Sequence, residues 1–352
     1  MTGLPAFPHR SGAPVLPAFP RRSGAPVRDK LQAAVIGAGA WAPRHVEAIR
    51  RTGIGEVAVL VGRDPARVRV AAARLAIEQA SVNAKDVLED PMIDVIHICT
   101  PNDSHAPLAH AAIAAGKHVV VEKPIALSAG EARGLAEAAG AARVHGMTAF
   151  TYRGSSTLRR FRKRVQAGEL GEIRIAAGHY LQDWLSRPSA NWRLDPIQGG
   201  PSLTVADIGV HWFDAVEFAS SQRLAQVVAD LAITRADAPW GEDTASVLLR
   251  FDNGARGTVL LSQAFSGRQN AMRIDLAGDR GSLIWELGAE GEDSAVDALT
   301  NIFSAYYRSV LERQPPHLND EVEYPTLWDG YRAAQFVDAV LASSKTQTWA
   351  SL

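Results

Sequence analysis

The sequence predicts an α/β protein, in which a doubly wound parallel sheet is followed by an α+β domain with a large, mostly antiparallel open sheet. From Leu31 onward, short β-branched runs alternate with helical stretches, a pattern typical of parallel strands joined by crossover helices. A glycine-rich turn at Gly37 follows the first of these strands. Beyond about Tyr152 the strands lengthen, and Asp252-Asn-Gly254 between two of them is a strong hairpin signal.

The first predicted domain spans residues 32–152. Its strands are nearly continuous apolar runs, which indicates a sheet covered on both faces. We predict strands at 33–36, 57–61, 95–99, 118–121 and 147–150, and helices at 41–51, 65–78, 128–142 and in a segment that ends near Gly116.

The second predicted domain spans residues 153–328. We predict helices at 155–166 and 205–219, strands at 173–183, 225–235, 244–251, 255–262, 272–277 and 282–285, and a resumed helical pattern by Ala295. A closing helix at 329–342 is expected to pack back on the first domain. One face of the large sheet would stay exposed, so we expect a homodimer or homotetramer.

Residues 1–31 contain a repeat, because Leu4–Val15 recurs as Leu16–Val27 with His9 replaced by Arg21. The segment is dense in Pro, Gly and Ser, so we expect it to be disordered. It has no apolar core of roughly 7–15 residues, so a secretory signal is not expected. The single cysteine, Cys99, fits a reducing compartment. We therefore expect a cytoplasmic protein.

Composition excludes several classes of partner. The 352 residues are enough for about two domains with their own cores. A net charge of −1 provides no field that would gather nucleic acid or an anionic membrane surface. No apolar run reaches the roughly 18 residues that a membrane-spanning helix requires. We expect neither a nucleic-acid nor a membrane partner.

The glycine-rich turn has the pattern G-x-G-x-x-A between a strand and a helix, and indicates a dinucleotide site. Gly37 permits the tight turn, Gly39 lets the backbone approach a pyrophosphate, and Ala42 allows close packing of helix and strand. Ala40 and Trp41 complete the turn, and the helix N-terminus behind it attracts phosphate.

The end of the second strand bears on which dinucleotide binds. An acid normally meets the adenosine ribose of NAD there, but this chain has Gly62, followed by Arg63 and Arg67. Guanidinium groups suit a 2′-phosphate, which favours NADP over NAD. Alternatively, both arginines are solvated charges at the start of a helix.

Polar residues also follow the next two strands. Thr100, Pro101, Asn102 and His105 follow the third strand and should border the cofactor, because ligands collect at the carboxyl ends of parallel strands. Thr100 and Asn102 could instead cap the following helix.

Glu122-Lys123-Pro124 follows the fourth strand. In a cofactor cleft Lys123 could hydrogen-bond a substrate hydroxyl and favour its proton loss. Glu122 could pair with Lys123 or contact a nicotinamide ribose.

Asp207 and His211 lie four residues apart on a predicted helix, so both side chains share one face about 6 Å apart along the axis. That spacing suits a histidine base oriented by a carboxylate, with Asp214 one turn further as support. A metal centre needs more ligands than this segment supplies at the usual spacing, so no metal is expected.

Taken together, these motifs resemble the glucose–fructose oxidoreductase, inositol dehydrogenase and rhizopine-catabolism (Gfo/Idh/MocA) family. The resemblance runs from about Gln32 to the C-terminus. It rests on the following residues: Gly37-Ala-Gly-Ala-Trp-Ala42, Cys99-Thr-Pro-Asn102 with His105, Ala115-Gly-Lys-His-Val119, Glu122-Lys-Pro124, Gly168-Glu-Leu-Gly171, Asp207-Ile-Gly-Val-His211 and Tyr324-Pro-Thr-Leu-Trp-Asp-Gly330.

The resemblance implies a Rossmann domain and an NAD(P)-dependent dehydrogenase of sugars or cyclitols, with Lys123, Asp207 and His211 as the catalytic group. It also implies that Arg153, Trp192 and Arg193 reach the nicotinamide end. Glu122 and Lys123, after the fourth strand, are expected to contact the cofactor as well. Tyr180 and Asp183, in a strand similar to that of members handling pyranose-type substrates, would bind substrate with the catalytic group. One departure is the short segment 287–294, where the family usually has a longer covering stretch.

On this reading His211 removes the hydroxyl proton, Lys123 stabilises the alkoxide, Asp207 orients His211, and a hydride passes to the nicotinamide. Two alternatives remain on the same scaffold: an NAD-dependent glycoside hydrolase acting by transient oxidation, and a non-catalytic nucleotide-sensing regulator. The presence of all three polar residues favours an enzyme over a sensor.

Overall fold

The computed structural model describes residues 30–187, 191–235, 240–312 and 323–352. Most of the predicted disordered tail therefore lies outside the described residues, and Leu31, its last predicted residue, already belongs to the first strand. None of the described helices is both long enough and apolar enough to span a bilayer.

Thirteen strands form two sheets within the described residues. The strands are β1 (Leu31–Ile36), β2 (Gly55–Val61), β3 (Gln79–Ser81), β4 (Val95–Ile98), β5 (His118–Val121), β6 (Gly146–Thr148), β7 (Ile173–Leu181), β8 (Leu224–Ala232), β9 (Thr244–Phe251), β10 (Arg256–Ser262), β11 (Ala271–Gly278), β12 (Ser282–Glu286) and β13 (Ala350–Ser351). The helices are α1 (Ala42–Arg51), α2 (Pro65–Arg74), α3 (Ala84–Glu89), α4 (His105–Ala114), α5 (Ala129–Ala142), α6 (Ser156–Gln166), α7 (Pro196–Gly199), α8 (Val210–Ser220), α9 (Ala295–Leu311) and α10 (Leu327–Thr346).

The first sheet is parallel, with the order β3-β2-β1-β4-β5-β6. Helices α1, α2 and α9 cover one face, and α3, α4 and α5 cover the other. The strand order reverses direction between β1 and β4, so a crevice opens at their carboxyl ends. This is the predicted Rossmann architecture, and the fold class is confirmed.

The second sheet has the order β12-β11-β7-β10-β9-β8-β13 and is antiparallel except between β7 and β10. Helices α6 and α8 contribute buried side chains to its inner face. The predicted hairpin joins β9 to β10, with Gly254 at φ +91°. Ile175, Leu248 and Ile284 lie on the outer face and are exposed.

Two C-terminal helices join the domains in ways that the chain order does not suggest. Helix α9 falls in the predicted segment 153–328, yet its buried side chains, including Phe303 and Tyr307, pack with β1 and α1 of the first domain. Helix α10, predicted to pack on the first domain, contacts α5 there and contributes Leu327 and Ala334 to that domain's core. It also packs Phe336 and Val340 into the core of the second domain.

The structure departs from the sequence prediction in several local elements. The predicted helix 65–78 ends at Arg74, because Ala76 adopts a left-handed conformation with φ +50°. Strand β3 and helix α3 were not predicted, since β3 is a short, largely exposed edge strand without an apolar pattern. The predicted helix 205–219 begins with a π-helical turn, Val205–Gly209, before α8.

Candidate active site

The glycine-rich turn occupies the crevice between β1 and β4. Gly37 has φ +110°, and a Cβ there would lie 2.4 Å from the carbonyl oxygen of Cys99, so only glycine fits. Apart from its chain neighbours, a Cβ on Gly39 would meet no atom of the described residues within 4 Å, which leaves open space in front of the turn. Ala42 is buried against the sheet. This cradle suits the close approach of a pyrophosphate to backbone.

Gly62 follows β2, where a ribose-binding acid would otherwise stand. The nearest downstream carboxylate, Asp64, caps α2 by accepting hydrogen bonds from the amides of Ala66 and Arg67, both at 2.9 Å. Arg63 is exposed at the same edge. The Arg67 side chain is 88% exposed and lies 3.7 Å from Asp64.

Asn102 and His105, predicted at the cofactor, are both buried and bonded to protein carbonyl groups. The Asn102 Nδ2 donates to the carbonyl oxygen of Gly199 in α7 at 3.0 Å. Among the described residues no side chain caps the turn Asn102–Ser104 or the start of α4. The two ring nitrogens of His105 lie 2.7 Å from the Pro124 oxygen and 2.8 Å from the Thr100 oxygen. His105 therefore ties the turn after β4 to the loop that carries Lys123.

Lys123 projects from the end of β5 towards the second domain and is 6% exposed. Its Nζ donates to both Oδ1 and the main-chain oxygen of Asp207, each at 2.7 Å. Glu122 does not pair with this ammonium within the described residues. Its Oε1 lies 2.9 Å from His45 Nε2, and its Oε2 accepts from the Lys123 amide at 3.3 Å.

The Asp207 carboxylate also accepts from Arg193 Nε at 3.1 Å and from Gln263 Nε2 at 2.8 Å. Burial alone would raise the pKa of this carboxyl, but the Arg193 and Lys123 cations hold it well below its usual range. Among the described residues it accepts no hydrogen bond from His211. The expectation that Asp207 orients His211 is therefore wrong, because two cations bind a carboxylate more strongly than a neutral imidazole does.

His211 is buried among aromatic rings, with its centroid 5.1 Å from that of Tyr152 and 6.4 Å from that of Tyr180. Its Nδ1 has no hydrogen-bond partner within the described residues. Burial, and next the Lys123 ammonium, hold the pKa of His211 well below the ordinary value of 6.5. The imidazole is therefore neutral near pH 7 and able to accept a proton.

Lys123, Asp207 and His211 line one cavity of about 380 Å³ between the domains, within the usual size range of small-molecule sites. Tyr180 lines it as well, as predicted, and its hydroxyl is bonded to Tyr152 at 2.7 Å and to Asn270 at 2.8 Å. The remaining described lining residues are Trp41, Arg44, Thr151, Tyr152, Gln182, Arg193, Ile208, Asn270 and Ala295.

Of the residues predicted at the nicotinamide end or at the substrate, four are absent from the described lining of this cavity: Glu122, Arg153, Trp192 and Asp183. Arg153 is instead held in a buried ion-pair cluster, at 2.6 Å from both Asp214 and Asp329. Asp214, expected to support the Asp207–His211 pair, is thus the partner of Arg153. Trp192 lies under the Arg193 guanidinium, 4.4 Å from ring centroid to Cζ.

Sequence reasoning missed Gln182, Gln263 and Asn270, which connect Asp207 to the tyrosines. Gln263 Nε2 lies 3.1 Å from Gln182 Oε1, and Gln182 Nε2 donates to Asn270 Oδ1 at 2.8 Å. These amides lie at or just beyond the ends of β7 and β10 and just before β11. No local motif marks them, and the only signal would have been their position at strand ends near Tyr180.

The nucleotide cradle, and the lysine beside a neutral histidine at its edge, define a dinucleotide-dependent oxidoreductase. Comparison with known proteins agrees with this class. Residues 31–150 match the oxidoreductase family with an NAD-binding Rossmann fold, and residues 158–284 match the GFO/IDH/MocA C-terminal domain.

Several proteins are similar along most of the chain. The 1,5-anhydro-D-fructose reductase of Ensifer adhaerens is 30% identical over 251 residues, 71% of this chain and 74% of that protein. The levoglucosan dehydrogenase of Pseudarthrobacter phenanthrenivorans is 27% identical over 307 residues, 80% of this chain and 78% of that protein. A solved levoglucosan dehydrogenase in complex with NADH and levoglucosan shares the fold, with a TM-score of 0.82 at 23% identity over 92% of this chain and 99% of that one.

The chain therefore belongs to the Gfo/Idh/MocA family, as its motifs suggested, and is an NAD-binding oxidoreductase.

Proposed function

We propose that this protein transfers a hydride between a secondary hydroxyl of a sugar or cyclitol and a nicotinamide dinucleotide. The observation that carries the proposal is the meeting of Lys123 and a neutral His211 in one cavity beside the nucleotide cradle. Gly37, Gly39 and Ala42 would hold the dinucleotide, whose nicotinamide supplies the hydride acceptor when bound.

The side chains would divide the work on the substrate oxygen. An ammonium has three donors, and Asp207 accepts two of those of Lys123, which leaves one for a substrate hydroxyl. That charge lowers the energy of the developing alkoxide. His211 takes the hydroxyl proton, while Asp207 keeps the ammonium in place rather than orienting the imidazole.

The cavity walls suit a carbohydrate. Tyr152 and Tyr180 offer aromatic surface, and Gln182 and Asn270 offer hydrogen-bonding amides beside it. Relatives are named for levoglucosan, myo-inositol and 1,5-anhydro-D-fructose, all of them polyhydroxylated rings. A pyranose-sized or cyclitol substrate is therefore proposed here.

Replacing Lys123 with Met should lower kcat/KM for sugar oxidation by about 10²- to 10⁴-fold, because the oxygen loses its charged partner. Reduced cofactor is followed by absorbance with levoglucosan, myo-inositol and related sugars as substrates. Lys85→Met is the matched control, since its side chain is 69% exposed and it should behave as wild type. Unchanged turnover in Lys123→Met, or release of an aglycone without net cofactor reduction, would contradict the proposal.

The pH profile should report on His211. Because the folded-state pKa of His211 lies well below 6.5, the imidazole becomes protonated, and oxidation falls, only as the pH drops beneath that value. We expect kcat/KM to stay flat from pH 7 down through 6.5, and His211→Gln to lack this acid limb. If the acid limb of the wild-type kcat/KM profile were centred at or above pH 6.5 and disappeared in His211→Gln, the pKa of His211 would not be lowered in the folded protein.

We further propose that NADP is preferred over NAD. Gly62 offers no carboxylate at the end of β2, Asp64 is occupied by its capping bonds, and Arg63 is exposed beside them. Arg63→Ala should raise the Kd for NADP about tenfold and leave that for NAD unchanged, because one charged hydrogen bond is lost. Fluorescence titration with both cofactors measures this, with Arg69→Ala on α2, the helix that follows Arg63, as the control. Equal effects on both cofactors would refute the preference.

Self-association through the outer face of the second sheet is also proposed, giving a homodimer or homotetramer in the cytoplasm. Ile175, Leu248 and Ile284 expose half or more of their surface there. Light scattering of protein isolated from the cytoplasmic fraction should give a molecular mass that is a multiple of the protomer mass. Leu248→Glu should lower that measured mass, because a charge would disrupt the apolar contact. Val70→Glu on α2 is the control, because Val70 is equally exposed but far from this sheet in the fold. A monomeric wild type would exclude this assembly.

A further inference from the structure

A chain of four buried polar side chains runs from the Lys123 loop into the core of the first domain. Glu122 Oε1 lies 2.9 Å from His45 Nε2, His45 Nδ1 lies 3.0 Å from His97 Nδ1, and His97 Nε2 lies 2.9 Å from the Tyr307 hydroxyl. Glu122 directly follows β5, and His45, His97 and Tyr307 lie on α1, β4 and α9. Glu122 is 4% exposed, and the other three residues are fully buried.

The chemistry of the two ends sets the direction of every hydrogen bond. A carboxylate only accepts, so a neutral His45 must donate to Glu122 from Nε2 and accept at Nδ1. His97 then donates from Nδ1 and accepts the Tyr307 hydroxyl proton at Nε2. Burial holds the pKa of His97 well below 6.5, in keeping with a neutral ring. In the reverse direction His97 would donate from Nε2 to the Tyr307 oxygen, so the Tyr307 proton would lose this acceptor. His45 would then have to donate from Nδ1 to His97, and a further proton on His45 or Glu122 would be needed to keep the bond between those two residues.

This chain of hydrogen bonds does not carry protons to water, because it ends at the hydroxyl of Tyr307, a fully buried side chain. Its near end, however, bears directly on the proposed catalytic lysine. Glu122 Oε2 accepts a hydrogen bond from the main-chain amide of Lys123 at 3.3 Å. A carboxylate fixed at Oε1 thus fixes the backbone from which the ammonium projects.

We propose that His45, oriented by His97 and Tyr307, is a positioning residue that holds the Glu122 carboxylate and through it the backbone of Lys123. The effect of His45 on kcat rests on the proposed dehydrogenase function. The direction of the hydrogen bonds does not depend on that function. Glu122 is then occupied by the protein at both oxygens, and its predicted contact with the nicotinamide ribose is replaced by this supporting role.

The direction is tested by NMR of protein labelled with ¹⁵N-histidine. We expect His45 to be protonated at Nε2 and His97 at Nδ1, with assignments from His45→Gln and His97→Gln. Tyr307→Phe should leave the His97 proton on Nδ1, because the Glu122 end fixes it, but should shift the ¹⁵N resonance of Nε2, since that nitrogen loses its hydrogen-bond donor. Tyr306→Phe is the matched control. Tyr306 is equally buried on α9, but its hydroxyl donates to the main-chain oxygens of Val119 and His145, which take no part in the Glu122–Tyr307 hydrogen bonds. His45 protonated at Nδ1, or at both nitrogens, would overturn the inference.

Kinetics separate positioning from direct cofactor contact. His45→Ala should lower kcat by about 10- to 100-fold, the cost of a slightly misplaced catalytic group, and leave the cofactor Kd within about twofold. His45→Gln, whose amide can still donate to Glu122, should recover most of the rate. A raised Kd with unchanged kcat, or an equal loss in both variants, would contradict the role.

Tyr307→Phe, compared with Tyr306→Phe, supplies the same kinetic test if His45→Ala does not fold. We expect a several-fold fall in kcat in the first variant alone, and equal kcat values in the two would contradict the inference. If the wild-type protein oxidised no sugar, the proposed function would be wrong. The histidine tautomers measured by NMR would still decide the direction of the hydrogen bonds from Tyr307 to Glu122.

Discussion

A lysine ammonium from the first domain and an aspartate carboxylate from the second meet in a largely buried contact, and the geometry of the site depends on this pair. Charges removed from water are stable only when they are paired and hydrogen-bonded. Lys123 satisfies this through two bonds to Asp207, and Asp207 through further bonds to Arg193 and Gln263. The crevice between the domains is thereby held at one width at the point where substrate would enter.

The same pair explains the state of the neighbouring histidine. The Asp207 carboxylate favours a charge on His211, but less strongly than burial and the Lys123 ammonium oppose it. Burial and the nearby ammonium then act in the same direction, so the ring stays neutral. The neutral imidazole therefore lies beside an Asp207 that is bonded to cations rather than to His211, the opposite of the arrangement that their spacing in the sequence suggested.

The sequence predicted what depends on local pattern. Strand alternation, the Gly37 turn and the Asp252-Asn-Gly254 hairpin follow from backbone chemistry within a few residues, and all three are present. The meeting of Lys123, Asp207 and His211 was predicted by resemblance rather than by pattern.

The predictions that the structure does not support concern contacts between segments that are distant in the sequence. Arg153 could not be told from a cofactor ligand until Asp214 and Asp329 were seen beside it. Similarly, the helical pattern at Ala295 did not reveal which domain it covers, because an amphipathic helix encodes a buried face and not its partner. Gln263 carries no motif at all.

The return of α9 to the first sheet has a consequence for how the protein is divided. Its aromatic side chains cover one face of β1 and β4, although they are encoded after every described strand of the second sheet except the two-residue β13. A fragment that stopped at Glu286 would keep every strand of the nucleotide-binding unit but lose the α9 side chains, so that only α1 and α2 would still cover that face. The first domain is therefore complete only once almost the whole polypeptide has been synthesised, and the two lobes cannot be separated by a single cut.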